Sequence, residues 1–64
     1  MSPQQIYSNY RGAIGNLKVG AWYDLPEFFM PSATFRLRLA RKLGITLRTV
    51  RIKALNRVVT IRTK

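Results

Sequence analysis

The sequence predicts a small, mainly α-helical domain that ends in a short C-terminal β-strand. Three observations carry this expectation. Phe35, Leu39 and Leu43 recur every four residues and are followed by Gly44. Leu47, Val50, Ala54 and Leu55 form a second set at helical spacing. Residues 57–63 are dominated by β-branched side chains. With 64 residues the chain has room for one domain and a small core. It contains no Cys and no His, so neither a disulfide nor a zinc clip is available to stiffen it. An apolar share of 47% is enough for a core all the same.

From the N-terminus, Gly15-Asn16 suits the turn of a short hairpin over residues 13–19, because glycine takes positive φ readily. Residues 4–10 read equally as a short N-terminal helix. Trp22, Tyr23, Leu25, Phe28 and Phe29 form the densest apolar cluster. Asp24 and Glu27 stand at capping-box spacing around Pro26, and Pro31 limits that element to a turn or two. Ser32 is placed to cap a helix over Ala33–Leu43, with Phe35, Leu39, Ala40 and Leu43 inward and Arg38, Arg41 and Lys42 outward. Gly44 ends it. Thr46 then caps a second helix over residues 47–56. Leu37 and Arg51 fit neither apolar face. A rival pattern accommodates both: residues 34–39 and 50–54 alternate strictly, as strands do. With the tail they make an α+β or all-β protein with a three-stranded antiparallel meander built from residues 34–63. That arrangement requires a bulge near residues 40–43 and puts good helix formers into a strand.

The charge is as uneven as the periodicity. The net is +10, from 12 Lys and Arg against 2 acids. Residues 1–34 balance Arg11 and Lys18 with Asp24 and Glu27, so the whole excess lies in residues 35–64. Packing ten cations into half of a small domain costs self-repulsion, which a polyanion relieves. Most of the cations are arginine, whose planar fork suits phosphate oxygens and guanine edges. The aromatics divide the other way, none lying beyond Phe35. The chain therefore reads as one domain over residues 1–64, with a neutral aromatic core half (1–34) and a basic nucleic-acid-binding half (35–64).

Composition argues against catalysis. General-base histidine and nucleophilic cysteine are both lacking, and the only carboxylates are Asp24 and Glu27. No cofactor, metal or small-molecule substrate is implied. The N-terminus has no basic leader and no apolar run approaches membrane-spanning length, so a cytoplasmic protein is expected, nucleoid-associated if bacterial or phage-encoded.

Within the basic half, Leu39-Ala40-Arg41-Lys42-Leu43-Gly44-Ile45-Thr46-Leu47-Arg48-Thr49-Val50-Arg51 resembles the helix-turn-helix of small bacterial and phage DNA-binding regulators. The likeness covers residues 36–55. It sets small Ala40 at the helix crossing, Gly44 at the turn, Ile45 as the plug and Val50 against the first helix. Lys53 departs from it, standing where the family has another buried apolar residue. The resemblance implies a small helix-turn-helix domain in which Thr46, Arg48, Thr49, Arg51 and Ile52 face the major groove. Arg36, Arg38, Arg41, Lys42, Lys53, Arg57 and Arg62 would then contact phosphates. A second register is similar to small phage helix-turn-helix proteins and starts earlier, with Met30-Pro31-Ser32-Ala33-Thr34-Phe35 opening the reading helix and placing it at 33–43.

The expected function is double-stranded DNA binding, as a transcription regulator. The edge of the strand at 58–63 offers the site for a homodimer. The alternative is a small basic phage-type inhibitor or interaction protein that docks Trp22, Tyr23, Phe28 and Phe29 on a host protein or nucleoprotein. A third reading, an RNA- or ribosome-associated binder, goes with the meander.

Overall fold

The computed structural model describes residues 2–64. Ser2 opens the first element. Its Oγ accepts a hydrogen bond from the Gln5 N–H at 3.2 Å, and Pro3 occupies the first helical position, where a missing N–H costs nothing. Helix α1 (Pro3–Gly15) buries Tyr10 and Ile14, one turn apart on a single face. It is followed by strand β1 (Trp22–Pro26), a single 3₁₀ turn (Glu27–Phe29), helix α2 (Ala33–Leu43), strand β2 (Leu47–Ile52), a second 3₁₀ turn (Lys53–Leu55) and strand β3 (Arg57–Arg62). The strands form one antiparallel sheet in the order β1-β3-β2.

The architecture is therefore α+β, two helices with a three-stranded antiparallel sheet, and not mainly α with one short strand. The helix expected over 47–56 is absent. Thr49, Val50 and Ile52 are β-branched, the preceding Ile45 and Thr46 are too, and β3 offers them a partner along its full length. The meander over 34–63 does not form either, because residues 34–39 lie inside α2 and the third strand comes from Trp22–Pro26. Asp24 caps nothing: it sits in β1, paired in register with Val59. Residues 13–19 form no hairpin, since α1 runs through to Gly15.

Helix α2 has the signals that fix a helix locally. The Phe35 N–H donates to Ser32 Oγ at 3.3 Å, and Gly44 closes the C-terminus at φ 68°, a conformation open to glycine at little cost. The β2–β3 turn uses Asn56 at φ 50° for the same purpose, asparagine being one of the few side chains tolerated there.

The core lies between the helices and one face of the sheet. Tyr10, Ile14 and Leu39 form its centre, with Leu17, Tyr23, Leu25, Met30, Phe35, Ile45 and Leu47 packed around them. Val58 and Thr60 of the central strand are buried beneath. Tyr7 stacks on Phe35 at 4.7 Å between ring centroids, and Phe35 also meets the Tyr10 ring edge-on at 6.3 Å. The Tyr10 hydroxyl lies 3.4 Å from Thr60 Oγ1, and burial pushes its pKa above the ordinary value. The aromatic half supplies only part of this core. Trp22 is 66% exposed and Phe28 80% exposed. Among the described residues no helix is long and apolar enough to cross a membrane.

Candidate nucleic-acid interface

Helix α2 turns one stripe to solvent: Thr34, Leu37, Arg38 and Arg41, beside Ala33. The spacing i, i+3/i+4, i+7 makes these side chains neighbours on a helix surface. Leu37, at 69% exposure, is the residue that fitted no apolar face, and here it has none to fit. Lys42 flanks the stripe and is exposed as well. Arg41 and Lys42 also lie in the last turn, where cations complement the helix dipole.

Arg36 faces the other way. Its Nη1 donates to Thr49 Oγ1 at 2.9 Å, bridging α2 to β2, and its Nε is shut off from solvent without a partner. A groove of about 510 Å³ runs along this seam, lined by Leu37, Ala40, Arg41, Thr46 and Thr49 beside Arg36.

The residues expected to read bases fall on or beside β2. Thr46 is exposed ahead of the strand. Directly paired residues share a face of a sheet, so Thr49 and Arg51 point toward the helices with Thr60 and Val58, while Arg48 and Ile52 point outward with Ile61 and Arg57. They do not share the solvent face of a recognition helix, because there is no helix at 47–52. Val50, expected to pack back on the first helix, lies on the outer face of the sheet.

The phosphate-contact candidates divide by what already holds them. Arg57 Nε pairs with Asp24 Oδ1 at 2.9 Å, and Arg62 donates to the carbonyls of Leu17 and Lys64, each at 2.8 Å. Arg51 Nε pairs with Glu27 Oε1 at 3.1 Å. Both acids of the chain are thus neutralised by arginines at the same end of the sheet. Among the described residues, Arg38, Arg41, Lys42, Arg48 and Lys53 form no ion pair. The first three lie along α2, Arg48 on β2 and Lys53 at the tip of the β2–β3 hairpin.

Sequence reasoning missed Thr34 and Leu37 as surface residues. The available signal was the apolar spacing of Phe35 and Leu39, which sets the rotation of α2 and leaves Thr34, Leu37, Arg38 and Arg41 on the opposite side. Of the four aromatics considered as anchors, Trp22 and Phe28 are exposed, while Tyr23 and Phe29 are half-buried. No protein-family model, curated protein or solved structure matches this chain.

Proposed function

We propose that this chain is a small double-stranded DNA-binding protein that lays α2 in the major groove and holds the flanking phosphates with unpaired cations. The observation that carries the reading is the solvent stripe of α2, where Thr34, Leu37, Arg38 and Arg41 stand together with no carboxylate paired to them. A helix of this diameter fits the major groove, whose width is about 12 Å. Arg38 and Arg41 have the fork geometry to read guanine O6 and N7, and Leu37 the apolar surface to meet a thymine methyl. Lys42 and Lys53 then serve as phosphate contacts that set position without reading sequence.

This assignment follows the second register of the helix-turn-helix resemblance, in which the reading helix starts after Ser32. The element before it is a single 3₁₀ turn, Glu27–Phe29, where that motif has a full helix. The β2–β3 hairpin follows α2 directly and carries Lys53 at its exposed tip. A role in transcription regulation is the form such a module would take.

The experiment is a mobility-shift titration on random-sequence duplex DNA across a salt series, followed by selection of bound sequences from a random library. On random-sequence duplex, where Arg38, Arg41, Lys42 and Lys53 can all meet phosphates, about four contacts give a log–log salt slope of roughly −3 to −4. A selected site with a preferred guanine supports base reading by the α2 arginines. No binding at low salt rejects the proposal. It would then favour the interaction-protein reading, for which the specific observation is the exposure of Phe28 and Trp22.

A further inference from the structure

The outer face of the sheet is more apolar than a solvated face requires. Antiparallel sheets with one solvated face alternate apolar inward and polar outward. Here the central strand is apolar on both sides: Val58 points to the helices, and Val59 and Ile61 point away from them. Register places nine residues on that outer face in three rows. These are Trp22, Ile61 and Arg48; Asp24, Val59 and Val50; and Pro26, Arg57 and Ile52. Five of the nine are large and apolar, and Trp22, Val50 and Ile52 are exposed.

We propose that a second copy of this chain packs on this face, sheet against sheet. Charge selects the occupant. Asp24 and Arg57 neutralise one another here, leaving Arg48 as the one unpaired cation among the nine. A polyanion or an acidic protein finds far more positive charge along α2 than on this face. Two chains of net charge +10 repel wherever their cationic surfaces meet, and on this face each brings only Arg48 unpaired. The pairing is self-complementary. Val59, at the centre of the nine, meets its own copy, and the Asp24–Arg57 pair carries no net charge into the contact. Strand 58–63 cannot add a partner by its edge, because β3 is the central strand. The α1 and α2 helices lie on the opposite face and remain uncovered by such a pair.

Area sets the strength. Three strands at a spacing of about 4.8 Å and five residues at about 3.3 Å make a face of roughly 15 by 17 Å. That is below the roughly 800 Å² per partner of stable complexes, so the pairing is reversible and concentration-dependent.

The test needs no DNA and is independent of the DNA-binding reading. Sedimentation equilibrium of the full chain is measured from micromolar to millimolar protein at low and high salt. Quenching of Trp22 fluorescence by acrylamide is followed over the same range. The expected result is a dimer whose fraction rises with protein and with salt, since screening removes the residual repulsion, while Trp22 becomes protected in parallel. Val59→Arg sets two like charges against each other and weakens association by roughly tenfold or more, with circular dichroism reporting that the fold persists. A chain that stays monomeric throughout, with Trp22 equally quenchable at all concentrations, overturns the proposal and leaves the face to a different protein. A dimer that forms without protecting Trp22 overturns it too.

Discussion

Residues 34–39 and 47–52 carry nearly the same composition, three large apolar side chains with two Arg and one Thr, and the first alternates strictly, yet it is the first that is helix and the second strand. Local chemistry separates them. The first segment is bracketed by a serine N-cap and a glycine in the left-handed conformation, and holds one β-branched residue, Thr34. The second has no side-chain cap and three β-branched residues in six. The outcome decides what the arginines do. On α2 the alternation is wound into a stripe that gathers Arg38 and Arg41 beside Leu37. On β2 the same residue types are split between two faces, and Arg48 and Arg51 point apart.

The largest effect that can break this comparison is in the core. Leu37 and Leu39 would share a face in a strand, but α2 exposes the first and buries the second to 5%. Leu39→Ala should therefore cost about 2–5 kcal/mol, a large share of what so small a domain has. Leu37→Ala should change stability by about 0.5 kcal/mol or less. Thermal unfolding of the two variants measures the asymmetry, and equal losses would remove the helix. Next in size is Gly44→Ala. With φ at 68° and open space around the position, only backbone strain opposes the methyl group, about 1–2 kcal/mol by denaturant unfolding.

Tyr10→Phe should act more gently. It leaves the buried Thr60 hydroxyl without its partner and costs about 1 kcal/mol. It also removes a pH dependence. The folded-state pKa of Tyr10 is raised by burial, so its contribution is constant below about pH 10 and is lost as pH rises through the folded value. The wild type should accordingly lose stability in alkali more steeply than Tyr10→Phe, as followed by denaturant midpoints across that range.

The comparison also explains how much was legible in the sequence. Helix α2 was, because Ser32 and Gly44 act within a turn of the residues they fix. Strand β2 was legible only as the rival alternation at 50–54, because its stability comes from β3, and β3 in turn pairs with β1 from the other half of the chain. The same distance hid Asp24. Its spacing to Glu27 suggested a cap, whereas its partner is Arg57, 33 residues away. The positive charge was plain from composition, but its useful face depends on the rotation of α2. With 34–39 helical and 47–52 a strand, Leu37 and Arg51 cease to be misfits: one is surface, and the other pairs with Glu27.

The most direct test of the account compares duplex-DNA affinity for Arg38→Ala and Arg41→Ala with that for Lys42→Ala and Arg48→Ala, on a selected site and on random sequence. Each of the first two should lose about 5- to 150-fold on the selected site, the worth of a good base contact of about 1–3 kcal/mol, and less on random DNA. Lys42→Ala should weaken both substrates alike and reduce the salt slope by about 1. Loss of sequence preference in Arg48→Ala, with the Arg38 and Arg41 variants unchanged, would contradict the account and move the reading surface to the sheet.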